Sequence, residues 1–308
     1  MKFQRFLPTS LLLKKHLSLA LCGLGSLFFL PTAWGLDPLP VTGPIVRISD
    51  MAPISVAQLV QAVLRSDVAV LGEVHDNPRH HQLRGELLRQ LPAASKTVVA
   101  EHLNWRQGFK PESELLRGLQ EAGFDDQGWA WPLHQPLFEA IGAMQMPLMG
   151  GNLPGESIKE VFKTRGQSLP EPVRVLLAKA PFDDLQRKAL EEEINQGHCG
   201  AMPASMFEGM SAVQRGRDAA MAEVALAHLP SVVLAGNGHA WKHLGVPFVV
   251  NKVSPHSQTI SVLFMEWDDS RTSPEKQAFL AELEPQADYV WLTPPQSRED
   301  PCAKLKKK

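Results

Sequence analysis

The chain has 308 residues, 44% of them hydrophobic, and carries 31 Lys and Arg against 33 Asp and Glu for a formal net charge of −2. That length supports one large domain, or a domain with an insertion, with ample core. The charge balance argues against a nucleic-acid partner, and three cysteines do not make a disulfide framework.

The first 35 residues read as a secretory signal. They hold Lys2, Arg5, Lys14 and Lys15 and no acid, then an apolar run over 17–30, Pro31 and the small-residue pattern Ala33-Trp34-Gly35. The run is too short and wrongly flanked for a spanning helix, so a cut after Gly35 and export to the periplasm are expected. Cys22 raises the alternative of a lipoprotein anchored to the outer membrane, although Leu21 stands where a lipobox takes a small residue. Without the signal, 27 basic residues face 33 acidic ones, a net charge of −6. Cys199 and Cys302 then remain, a pair suited to an oxidising compartment. The α/β domain is expected over 36–300, followed by a basic tail over 301–308.

In chain order, helical periodicity over 56–65 precedes an apolar strand over 68–71, a helix over 78–91 and a strand over 97–100. Helices over 112–122 and 136–144 lead to a strand over 146–149, and helices over 183–196 and 205–228 follow. Further strands are expected over 231–235, 247–250, 259–265 and 289–292. Alternation of helices with near-continuous apolar strands predicts an α/β fold with a mostly parallel central sheet flanked by helices. The strand-free stretch 152–229 reads as a helical insertion over the carboxyl edge of the strands.

Two segments share one pattern after an apolar strand: Gly72-Glu73-Val74-His75 and Gly236-Asn237-Gly238-His239. A glycine at a strand end lets the backbone turn tightly and brings the next polar side chains to the rim where open α/β sheets bind ligands. The same rim receives Asp76, Asn77, His80 and His81 after one strand, Glu101, His102, Asn104 and Trp105 after the next, then Asn152, then Trp241 and His243. Asp76 and Asn77 also fit a helix cap ahead of Pro78, and His80 and His81 face different sides of their helix, so at most one looks into a site while a solvated face suits each. His75 and His239 each stand three residues after a strand-end glycine, and Glu101 ends an apolar strand, where an unpaired carboxylate is costly. On helix 205–228, Arg217 shares the apolar stripe and needs a partner: either Asp218 beside it or an anion at the rim.

Taken together, the Gly72–Asn77 segment with His81, the Glu101 strand end, Gln214-Arg215-Gly216-Arg217-Asp218 and Gly236–His239 with Gly245-Val246-Pro247 resemble the ChaN family. These are haem-binding, iron-regulated lipoproteins in the superfamily of TIKI proteins and erythromycin esterase. The similarity runs over about 45–293. It implies an α/β core with a helical subdomain, an envelope location and haem held non-covalently in haem or iron acquisition. The partners it suggests are a second copy of the chain and an outer-membrane haem-uptake receptor. The haem-binding residues expected are His134, Trp131, Arg217 and His81, with Trp105 and Trp129 lining an apolar slot or the core. Absence of Cys-x-x-Cys-His excludes covalent attachment. Relatives tend to carry a tyrosine in the segment matching Trp131-Pro132-Leu133-His134, whereas this chain has His134 there and its single tyrosine at Tyr289; the axial ligand is then His134 or another imidazole. TIKI-type relatives imply the rival reading, a metal-dependent hydrolase in which His75, Glu101 and His239 hold zinc or manganese and Glu73 is the general base. An esterase-like, metal-free version has a histidine activating water and a glutamate orienting it.

Overall fold

The computed structural model describes residues 43–109, 114–300 and 302–303, all within one unit, Leu39–Lys308. The expected signal over 1–35, Cys22 and the lysines of the tail lie outside the described residues. In chain order the elements are β1 (Ile45–Arg47), β2 (Ala52–Ile54), α1 (Val56–Arg65), β3 (Val68–Gly72), α2 (Pro78–Arg89) and β4 (Thr97–Asn104). There follow α3 (Leu115–Glu121), α4 (Gln135–Ala143), β5 (Leu148–Asn152), α5 (Gly155–Lys163), α6 (Glu171–Lys179), α7 (Asp184–Gly197) and α8 (Phe207–Ala227). The chain closes with β6 (Ser231–Leu234), α9 (Asn237–Ala240), α10 (Val246–Val253), β7 (Thr259–Glu266), α11 (Ser273–Glu282) and β8 (Tyr289–Thr293).

The eight strands form one sheet in the order β2-β1-β8-β7-β3-β6-β4-β5. From β8 to β5 every neighbour is parallel, while β1 pairs antiparallel with both β2 and β8. The sheet is therefore mixed, parallel through its centre. Every residue of β3 is buried, as expected of a strand covered on both faces. Alternation splits its side chains: Ala69 and Leu71 join the core under α1 to α4, while Val68 and Val70 join the core under α8 and α10.

Local chemistry explains the helix starts nearest the site. Ser55 and Gln58 close a capping box at α1, and Asn77 caps α2 by accepting from the Arg79 N–H, with Pro78 in the first turn. The strand expected over 247–250 is instead part of α10. Gly245 starts that helix, Pro247 sits in its first turn, and residues 246–250 are all buried. A segment apolar on every side has no period to separate helix from strand. Between β5 and β6 the described chain holds no strand. There α8 packs along the sheet so closely that a Cβ on Gly151 would lie 2.6 Å from Met221 Cγ. Cys199 and Cys302 form a disulfide with their Cα atoms 5.5 Å apart, tying the end of the described chain to the segment after α7.

Candidate functional site

Strand register assembles the site. β6 lies between β3 and β4, with Leu234 paired to Leu71 on one side and to Ala100 on the other. Both Gly-x-x-His turns and Glu101 therefore leave three adjacent strands at the same level. The pleat then divides what they carry. His102 shares the face of Val98 and Ala100, toward α2 and α4, whereas Glu101 shares the face of Val99, toward α8.

On the α2–α4 face, the Glu73 carboxylate is fully buried and ringed by cationic and imidazole groups. His75 Nδ1 lies 3.0 Å from Oε1, His81 Nδ1 2.8 Å from Oε2, His102 Nε2 3.5 Å and His134 Nε2 3.7 Å from Oε1, and the buried Arg84 guanidinium contacts Oε2. Arg84 also reaches His81 Nδ1 at 3.1 Å. Burial lowers the pKa of His81 to about 4 and holds those of His102 and His134 well below the usual imidazole range. These rings are neutral at pH 7. His81 spends its Nε2–H on the His75 carbonyl at 2.9 Å, while both nitrogens of His102 and of His134 lack a hydrogen-bond partner among the described residues. His75 differs from the rest: its side chain is 47% exposed and stands edge-on to Trp129, with ring centroids 5.1 Å apart. Its Nε2 would lie 2.6 Å from a Cβ at position 236, so only glycine there leaves room for the ring. Gly236→Ala is expected to displace His75 and broaden or shift its imidazole resonances, measured by NMR, while the β-sheet signature of circular dichroism stays unchanged.

On the α8 face, His239 bridges two buried carboxylates. Its Nδ1 donates to Asp218 Oδ1 at 2.6 Å, its Nε2 lies 3.4 Å from Glu101 Oε1, and the Gln214 amide packs 3.0 Å from Nδ1. Burial alone would lower the His239 pKa, yet Glu101 and Asp218 outweigh it and raise the value to about 10. Burial likewise acts to raise Glu101, but His239 and the Gly236 N–H, which donates to Oε2 at 2.8 Å, hold it well below the usual carboxylate range. His239 is thus an imidazolium with both nitrogens engaged.

A family model for haem-binding uptake proteins of the Tiki superfamily, ChaN, matches residues 59–250, more than half of the chain. The chain belongs to the ChaN family. No curated protein matches it in sequence. Among solved structures it is similar to one described as cofacial heme binding to ChaN of Campylobacter jejuni, at 19% identity and a TM-score of 0.62, over 80% of this chain and 95% of that one. A Bacillus cereus protein also matches, at 13% identity over 70% of each chain, with a TM-score of 0.37.

Within this ChaN-family chain, the residues expected at the site fall into separate places. The set His75, Glu101 and His239 is joined only in part: Glu101 and His239 pair on the α8 face, while His75 is tied to Glu73 and packs against Gly236, whose N–H donates to Glu101. His134, expected to meet an iron, is 1% exposed, tilted against His81 and edge-on to His102 and Trp129. Trp131, partly buried, packs edge-on against Phe124 at the border of the core beside α4. Asp218 is not the partner of Arg217 but of His239, and Arg217 keeps a buried Nε with no partner among the described residues. Neither His80 nor His81 is solvated; His80 accepts from the Val74 N–H and lies 2.8 Å from Thr293 Oγ1. The sequence reading placed His102 on the rim without giving it a role, and it missed Arg84. Arg84 stands three residues after His81 on a helix whose neighbours Leu83, Leu87 and Leu88 are apolar, and that buried cation was the readable sign of a buried carboxylate. An apolar cavity of about 520 Å³ lined by Phe109, Leu115, Phe138, Ile141, Met146 and Leu148 has no imidazole in its wall.

Proposed function

We propose that this chain binds haem non-covalently at the carboxyl edge of its sheet, with His75 as the axial ligand, in the service of haem or iron acquisition. The observation that carries the reading is the His75–Glu73 pair. A carboxylate on Nδ1 fixes the tautomer and leaves the Nε2 lone pair for an iron. The ring is exposed, as a ligand approached by a macrocycle must be, and Trp129 beside it offers an apolar edge. His134 and His81, the ligands favoured by sequence, are enclosed and suit that role less well. Arg217, with its unpartnered Nε, is the candidate cation for a propionate. Haem, when bound, supplies an iron that takes an imidazole nitrogen.

Several finer points belong to this proposal. Gln214 and Asp218 reach His239 from α8, which supports reading 152–229 as a cover over the carboxyl edge. Cofacial binding, carried over from the Campylobacter jejuni relative, stacks two haems and makes a second copy of the chain the partner. Export by the 1–35 signal puts the protein in the periplasm, with Cys22 lipidation as the anchored form and an outer-membrane haem receptor as the source of cargo. Titrating haemin into the chain from Leu36 onward is expected to give a saturable Soret shift. His75→Ala should weaken it by at least about tenfold, and His134→Phe should leave it. A flat titration rejects the proposal.

A hydrolytic reading has one observation in its favour. An exposed imidazole held on Nδ1 by a buried carboxylate is the arrangement of a general base. Turnover of a simple ester by the haem-free protein, abolished by His75→Ala with the fold intact, would support it.

A further inference from the structure

The interior of the Glu73 cluster is arranged as a ligand site rather than as a packed core. A buried imidazole ordinarily finds a partner for each ring nitrogen, yet His134 and His102, 1% and 2% exposed, have none among the described residues on either nitrogen. Both rings direct Nε2 at Glu73 Oε1. His81 adds a specific sign. Its Nε2–H is held by the His75 carbonyl, so its Nδ1 lone pair faces a carboxylate oxygen 2.8 Å away, two acceptors that now share the Arg84 guanidinium, 3.1 Å from Nδ1, as their cation. A ring fixed from behind by a backbone carbonyl is how metal-binding histidines are oriented.

We propose that Glu73, His81 and His134 form a buried site for one first-row divalent cation, zinc being the probe of choice. The three side chains offer ligand atoms that all lie within 4.8 Å of one another. A tetrahedral ion with bonds of about 2.1 Å holds its ligands roughly 3.4 Å apart, so side-chain rotation of about 1 Å closes the set. Two imidazoles and one carboxylate with no thiolate select a borderline ion over calcium or magnesium. The proposal stands apart from haem at the exposed His75 and does not require it.

Every charged or titratable neighbour bears on the affinity. His75 and His102 face Oε1 of Glu73, and Arg84 contacts Oε2 and His81 Nδ1. The guanidinium is a like charge beside the ion and weakens binding on the order of 1,000-fold relative to a site with a free carboxylate. The ion is therefore exchangeable, with a dissociation constant of roughly micromolar rather than nanomolar order.

The test is titration of the metal-free chain with Zn²⁺ and, for its visible bands, with Co²⁺. One equivalent is expected per chain. Affinity should fall more than about 100-fold in His81→Gln and in His134→Phe, while His239→Gln keeps it. X-ray absorption on the zinc-loaded wild-type chain guards against variants that fail to fold: two imidazoles and oxygen, with no sulfur, are expected. No uptake at about a hundred times the micromolar constant overturns the proposal. So does a bound ion that is lost in His239→Gln and retained in the other two variants, or a coordination shell without imidazole.

Discussion

Acidification from pH 6.5 to pH 4 is expected to destabilise the metal-free fold by as much as ~5 kcal/mol per pH unit. The cause is four buried histidines, His80, His81, His102 and His134, each 2% exposed or less. Burial is the leading cause of depression in all four, taking His80 and His81 to about 4 and holding His102 and His134 well below the usual imidazole range. The sign follows from proton counting. Below the unfolded value of 6.5 the unfolded chain binds protons that the folded chain refuses, so their stabilisation is present above pH 6.5 and lost as pH falls toward the folded values. Each such group contributes about 1.4 kcal/mol per pH unit to the slope, and four together remove roughly 11 kcal/mol over two units, comparable to a typical domain stability of roughly 5–15 kcal/mol. Urea unfolding followed by circular dichroism at pH 7, 6 and 5 checks this. The midpoint should fall steeply from pH 7 to pH 5, and an unchanged midpoint would show that the rings are solvated or already charged. His239 adds nothing in this window, since its raised pKa leaves it charged in both states below pH 6.5.

The fold's centre was legible because strands buried on both faces read as continuous apolar runs. β3, β6 and β7 are such strands, their runs falling over 68–71, 231–235 and 259–265. β1 and β2 escaped because three residues carry no alternation to detect. The two Gly-x-x-His turns were legible as strand ends, but their meeting depends on β6 inserting between β3 and β4, which chain order does not reveal. The expected union of His75, Glu101 and His239 took no account of the pleat, which gives His75 the Glu73 carboxylate as its hydrogen-bond partner and His239 those of Glu101 and Asp218. Glu73 shares the parity of Leu71, and Glu101 that of Val99, so the two carboxylates belong to opposite layers. Parity is in the sequence; pairing register, which decides whose parity matters to whom, is not. Arg84 and Asp218 were overlooked as site residues for a related reason. Each is a buried charge on a helix, and its partner is separated from it by sequence distance rather than by helical spacing.

His239→Ala is expected to cost about 3–5 kcal/mol, because it removes the imidazolium between two buried carboxylates and leaves Glu101 and Asp218 without it. At about 2–4 °C per kcal/mol for a chain of this size, thermal unfolding should drop by roughly 10 °C. Neutralising a carboxylate tests the assignment directly. Glu101→Gln with His239→Gln should lose less than the sum of the two single changes, since the second substitution removes the charge that the first stranded. The pH profile supplies an independent sign. Because the folded pKa is raised to about 10, the His239 contribution is complete below pH 6.5 and is lost as pH rises through 10. The wild-type chain should therefore weaken between pH 7 and pH 10, and His239→Gln should lack that alkaline limb. If the variant instead unfolds at the wild-type temperature with the same alkaline loss, the bridge contributes nothing and His239 is free for chemistry. If it behaves as expected, a lost activity in any His239 variant reports a lost fold first, and a functional role has to be sought at His75, whose exposed ring can be changed without stranding a buried charge pair across the sheet.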